Sequence, residues 1–126
     1  MTNRFLLLGA VAGALGVACG AFAAHALRTQ LAVDALGWFE TGARYQMLHA
    51  LALVAVGLGT GHVREPHRVV AGTCFAAGIV LFSGSLYAMA LTGWRGLGAV
   101  TPFGGMAWIV GWISLAVGSV NGHRAA

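Results

Sequence analysis

The sequence predicts an all-α, polytopic membrane protein, an antiparallel up-down four-helix transmembrane bundle with an interfacial helix between the first and second spans. Three observations carry that expectation. Charged residues are 8% of the 126 residues, against roughly 25% in ordinary soluble domains. Mean hydropathy is +0.83. Uncharged runs fill most of the chain, so residues 1–126 read as one transmembrane domain, with spans at about 5–24, 45–61, 69–91 and 103–120. The net charge of +4 comes from seven Arg, three acids and no Lys. Those Arg are spread one or two per junction, which fits membrane flanks and excludes a nucleic-acid surface. The expected partner is the lipid bilayer.

The first span, Phe5 to Ala24, follows a short positive leader that ends at Arg4. Ala21-Phe22-Ala23 offers an A-x-A cleavage site, so a secretory signal peptide is the competing reading. The uncharged run exceeds the usual apolar region of such a peptide, and a retained helix is expected. Gly9, Gly13, Gly16 and Gly20 fall within a narrow arc of this helix. Such a stripe lets a neighbouring backbone approach closely.

His25 ends the span, and Ala26 to Arg44 carries Arg28, Asp34, Glu40 and Arg44 among Leu31, Val33, Leu36, Trp38 and Phe39. Two readings stand for this segment. It is a helix lying in the interface with Trp38 at headgroup depth, or the second helix begins near Asp34 with Asp34 as N-cap.

The second span, Tyr45 to Gly61, leads into His62-Val63-Arg64-Glu65-Pro66-His67-Arg68, a tight basic turn in which Pro66 stops helix continuation. Its shortness makes the flanking helices antiparallel neighbours. The third span ends near Leu91. Thr101-Pro102 is a helix-start signal, with Thr101 at the N-cap and Pro102 at the first helical position. In the fourth span Gly104, Gly111 and Gly118 form a second small-residue stripe.

Four spans with short connections put both termini on one side. Arg4, Arg64, Arg68 and Arg124 lie there, and Arg28, Arg44 and Arg95 lie opposite. The excess favours cytoplasmic termini.

At 100° per residue, Gly42, Tyr45, Gln46, His49, Leu53 and Val56 share one helix face. Polar groups in hydrocarbon need partners inside the protein. On the up-down topology, His25, Arg44, Tyr45, Gln46, His49, Ser83, Ser85, Tyr87 and Thr101 all fall in the same half of the bundle. All but Thr101, which is read as the cap of the fourth span, make up the candidate polar layer. Cys19 and Cys74 sit in parallel helices at depths that differ by roughly 13 Å, beyond the ~7 Å Cα limit for a disulfide. They read as packing residues.

The chain resembles the family known as domain of unknown function 423, small bacterial inner-membrane proteins related to animal transmembrane protein 256. The resemblance rests on Gly20-Ala21-Phe22-Ala23-Ala24-His25-Ala26-Leu27 and Tyr45-Gln46-Met47-Leu48-His49-Ala50-Leu51-Ala52-Leu53. It continues through Leu81-Phe82-Ser83-Gly84-Ser85-Leu86-Tyr87, Thr101-Pro102-Phe103-Gly104-Gly105 and Gly111-Trp112. Ala23 departs from it, since the family often has Gly there. The resemblance implies a multi-pass inner-membrane protein and no activity.

Two function classes are consistent with these features. One is a non-enzymatic structural or accessory protein that forms a homo-oligomer or joins a larger membrane complex through its glycine seams. The other is a small transporter or channel with a proton or solute path through the polar half. A haem or metal site on His25 and His49 is weaker, because no His-x-x-His, Cys-x-x-Cys or carboxylate cluster completes a ligand set. Ser83, Tyr45 and His49 lack an orienting acid and an oxyanion loop, so no catalytic residue and no cofactor is expected.

Overall fold

A computed structural model describes residues 3–122 and is all helical there. Arg124, one of the charges expected to flank the termini, lies outside the described residues. The helices are α1 (Arg4–His25), α2 (Val33–Leu58), α3 (Glu65–Gly78), α4 (Gly84–Thr92) and α5 (Thr101–Gly122). A five-residue π-helical segment, Ile79–Ser83, joins α3 to α4 with helical dihedrals on both sides. Three stretches, Arg4–Thr29, Glu65–Thr92 and Arg95–Val120, are long and apolar enough to cross a membrane by length and composition. This is a helical membrane protein.

Asn3 starts α1. Its side-chain oxygen accepts from the Leu6 amide at 3.3 Å, and its amide nitrogen donates to the Gly57 carbonyl at 2.7 Å. The beginning of α1 is thereby tied to the end of α2. A short 3-10 turn, Leu27–Thr29, leads into α2 without a separate interfacial helix. The charges at Asp34, Glu40 and Arg44 lie on exposed positions of α2 itself. Asp34 is not the N-cap; α2 starts at Val33 behind Ala32, with no side-chain cap bond. Hydrophobic residues between the charges (Leu36, Trp38, Phe39) pack against α1 and α4, which keeps the segment helical and continuous with the rest of α2.

The turn after α2 uses Gly61 at φ +87°, a left-handed geometry that favours glycine. The turn is shorter than the expected 62–68: α3 already begins at Glu65, and Pro66 falls in its first turn, where its missing N–H costs nothing. Arg68 pairs with Glu65 at 2.8 Å and also donates to the Val56 carbonyl at 3.3 Å. Gly93, at φ +74°, closes α4. Thr101 is the first residue of α5 rather than its cap, and its hydroxyl bonds Ser85 instead.

The largest core cluster joins Phe5 of α1, Ala52, Leu53 and Val56 of α2, Ala71 and Phe75 of α3, and Trp108 of α5. A second, at the other end, joins Ala23, Leu27, Phe39 and Ala90. Helix α2 touches both clusters and is the central element. Glycine makes the close approaches possible. A Cβ at Gly9 would lie 2.8 Å from the Ala50 carbonyl and the Val54 amide. One at Gly104 would overlap the Phe82 backbone.

Gly13 and Gly16 also face α2: an added Cβ at Gly13 would meet only Ala50 Cβ at 3.9 Å, while one at Gly16 would press on the flexible Met47 side chain at 3.0 Å from its sulfur. Gly20 does not belong to that seam: nothing lies within 4 Å of its added Cβ, and it borders an open groove with Glu40 and Arg44. On α5, Gly111 meets the Phe75 ring and Gly118 meets His67 and Val63. Cys19 and Cys74 are free thiols.

Candidate functional site

The polar residues of α2 and α4 meet in the middle of the bundle. Gln46, 5% exposed, donates from Nε2 to the Ala12 carbonyl of α1 at 2.8 Å. Its Oε1 accepts from the Tyr87 hydroxyl of α4 at 2.7 Å. One amide therefore spans three helices. Ser83, fully buried, donates to the Gly42 carbonyl at 2.7 Å. Ser85 and Thr101 share a 2.7 Å bond that joins α4 to α5.

The π-helical segment makes this alignment. In a regular helix Ser83 would sit about 80° round from Phe75, off the core face. The extra residue in the π turn rotates the helix beyond it, so Phe75 and Ser83 both point inward and Tyr87 reaches Gln46. With no Cβ at Gly42, the Tyr87 ring can lie across α2; a Cβ there would be 2.9 Å from Tyr87 Cε1.

His49 occupies a separate, aromatic compartment. Its ring stacks on Trp108 with centroids 3.7 Å apart and planes within 2°. Phe75 and Trp112 close two other sides, at 5.7 and 6.0 Å. Tyr45 also lies parallel to Trp108, with centroids 5.8 Å apart.

The hydrogen bonds of His49 fix its state. Nδ1 lies 2.9 Å from the Tyr45 carbonyl, which can only accept. Trp112 Nε1, which can only donate, lies 3.1 Å from Nε2. The partners therefore assign a neutral imidazole that donates at Nδ1 and accepts at Nε2. Both nitrogens are occupied. To take a proton or bind a metal at Nε2, His49 would have to give up Trp112.

The expected layer is thus gathered only in part. Gln46, Ser83 and Tyr87 meet between α1, α2 and α4, Ser85 pairs instead with Thr101 of α5, His49 stands apart in the aromatic compartment, and Tyr45 caps that compartment while remaining 40% exposed. His25 and Arg44 do not join. Both are exposed, and neither forms a side-chain hydrogen bond or ion pair within the described residues.

The reason for His25 is register. The position nearest Gly13 is Ala50, the neighbour of His49, and His25 lies twelve residues further along α1, about 18 Å away. A shared depth for the two histidines requires the second helix to start at Tyr45. It starts at Val33, so His49 is deep in α2 while His25 is at the end of α1.

Trp108 and Trp112 are the functional neighbours that sequence reasoning missed. Each supplies one donor and a large ring, and they stand four apart on α5, on the helical side that meets α2 and α3. That spacing was the available signal. Among the described residues no group of three or more His, Cys, Asp and Glu side chains is placed to hold a metal ion. Ser83 donates to a backbone carbonyl rather than to His49.

Residues 19–105 match the family model described as "Protein of unknown function (DUF423)". That stretch contains all the polar-layer residues of α2 and α4 and the start of α5. The chain is 44% identical over 119 residues to a UPF0382 membrane protein of Haemophilus influenzae, covering 94% of this chain and 95% of the relative. It is 38% identical over 125 residues to the UPF0382 inner membrane protein YgdD of Escherichia coli K12, covering 98% and 95%. No solved structure matches. With that coverage, and with relatives that are themselves named membrane proteins, the chain belongs to the DUF423 family of bacterial membrane proteins.

Proposed function

We propose that this protein is a non-enzymatic structural or accessory component of the bacterial inner membrane, a four-span bundle whose polar layer clasps its helices together. The observation that carries this reading is the closure of the layer. Gln46, His49, Ser83, Ser85, Tyr87 and Trp112 each spend their side-chain hydrogen bonds on other helices or on the backbone. Among the described residues, the buried side-chain nitrogen without a partner is His67 Nδ1, in the first turn of α3, well outside the layer. A conducting path needs polar groups that face water, and these face one another.

The four-span reading takes α2 as the fourth span beside the three apolar stretches. At 26 residues it is about 39 Å long, more than the ~30 Å hydrocarbon core. Its charges occupy the first part, where exposed Asp34, Glu40 and Arg44 reach the interface. Four spans return both termini to one side, and the Arg balance supports the cytoplasm. Outward-facing apolar residues on α1 and α5, such as Leu7, Leu15, Ile109 and Ile113, are left for lipid or for copies of the same or other membrane proteins.

Two measurements test the reading. Vesicles containing the purified protein and a trapped pH dye should leak protons no faster than empty vesicles. Cross-linking in native membranes should trap a stoichiometric complex. A proton flux that His49→Gln abolishes while the protein still folds would overturn the proposal in favour of a path.

A further inference from the structure

The outer surface between α1 and α3 holds a groove that touches the polar layer only at its deep end, through Gln46. Phe5 pins the two helices at one end: it is 3% exposed, and its ring fills the space a side chain at Gly72 would need. Beyond Phe5 the helices part, leaving two cavities of about 370 and 200 Å³ that share Leu8, Ala76 and Val80 in their walls. Together they form one trough, running from Arg4 to Leu15 along α1.

We propose that this trough seats one acyl chain of an anionic phospholipid, with the lipid phosphate on Arg4. Three observations fit together. The first is length. Eleven residues separate Arg4 from Leu15, about 16 Å of helix, which matches one leaflet of a ~30 Å hydrocarbon core.

The second is polarity. The wall is apolar except for Arg4, Thr73 and Gln46. Gln46, at the deep end, already has its nitrogen on Ala12 and its oxygen on Tyr87. The deep end therefore suits a methyl terminus and the shallow end a charged headgroup.

The third is charge. Arg4 and Arg68 both lie over the Phe5 ring, at 4.8 and 5.6 Å. Arg68 is committed to Glu65 in a two-pronged pair at 2.8 and 2.9 Å. Arg4 is exposed and has no acidic partner within ion-pair distance among the described residues. The two arginines and Glu65 leave one positive charge at the mouth, the complement of one phosphate monoanion.

Because lipid tails are as apolar as the groove, chain burial gives little preference among lipids. Selection falls to the headgroup. One Arg at the membrane surface is worth about a fivefold preference, and that number sets the test.

The full-length protein, purified and stripped of lipid in detergent, is titrated with dioleoyl phosphatidylglycerol and with dioleoyl phosphatidylcholine. Bound lipid is counted by native mass spectrometry. The unmodified protein should bind one phosphatidylglycerol about fivefold more tightly than phosphatidylcholine. Arg4→Gln should erase that preference, and Arg4→Lys should keep it. Ala77→Trp, which fills the groove wall, should lower the occupancy of both lipids. Arg95→Gln, which changes a cation in the loop between α4 and α5, should change neither. Glycerol phosphate without chains should not bind at the same concentrations.

Equal affinity for the two lipids in the unmodified protein would overturn the proposal. So would a preference that survives Arg4→Gln, occupancy untouched by Ala77→Trp, or tight binding of glycerol phosphate alone.

Discussion

Two glycines one turn apart on α1 should respond in opposite directions to the same substitution. At Gly9, an alanine Cβ would lie 2.8 Å from the Ala50 carbonyl oxygen, the Val54 amide nitrogen and Val54 Cγ2. Two of these are backbone atoms of α2, so the clash cannot be relieved by a rotamer change. The α1–α2 seam must open, and the Asn3 bond to the Gly57 carbonyl lies only a turn and a half away on the same seam. Overpacking of this kind costs about 1–3 kcal/mol.

Alanine also removes the helix penalty of glycine, about 0.5–1 kcal/mol. The net for Gly9→Ala is therefore a loss of up to about 2.5 kcal/mol, centred on ~1 kcal/mol because both clashing backbone atoms belong to α2. At Gly13 the added methyl would meet only Ala50 Cβ, at 3.9 Å, an ordinary contact. Gly13→Ala should then gain up to about 0.5–1 kcal/mol. The assay is reversible unfolding by dodecyl sulfate in mixed micelles, followed by far-UV circular dichroism. Gly9→Ala as stable as the parent, or Gly13→Ala as damaged as Gly9→Ala, would refute this account of the α1–α2 seam.

Three further outcomes concern the interior. Tyr87→Phe leaves Gln46 Oε1 buried without its donor and should cost about 1–2 kcal/mol; adding Gln46→Leu should recover part of that loss, since the stranded acceptor goes with it, and an additive cycle would show that the bond is not made. Trp112→Phe keeps an aromatic ring against Phe75 and His49 but removes the donor to His49 Nε2, so a small loss near ~0.6 kcal/mol is expected by the same unfolding assay. His49→Gln loses the stacked ring on Trp108 and should destabilise by about 0.5–1.5 kcal/mol without preventing membrane insertion, checked by carbonate extraction. For topology, reporters fused to the carboxyl terminus should register as cytoplasmic; a carboxyl terminus outside with the amino terminus inside would sink the even-span proposal.

The class of this protein was legible from composition, because a chain with so few charges can only hide its apolar surface in lipid. The start of α5 was legible to within a residue at Thr101-Pro102, and of the face Gly42, Tyr45, Gln46, His49, Leu53 and Val56 read from the 3.6-residue period of α2, all but Tyr45 are buried. Gln46 and Tyr87 could be named as candidates for the same reason: a polar group in hydrocarbon must find a partner.

Which partner it finds is a tertiary matter. Of the two readings for residues 26–44, the helix that begins near Asp34 is the one the fold adopts, starting at Val33, and that start shifts the register against α1 and takes His25 out of the layer. The π-helical turn at Ile79–Ser83 rotated α4 by an amount that no residue pattern in that uniformly apolar stretch announces. Trp108 and Trp112 read as two more apolar positions of α5 until the fold brought them onto His49. Periodicity in one helix fixes which face is buried, while pairing between helices depends on their relative depth and rotation, and those are set by side chains far apart in the chain.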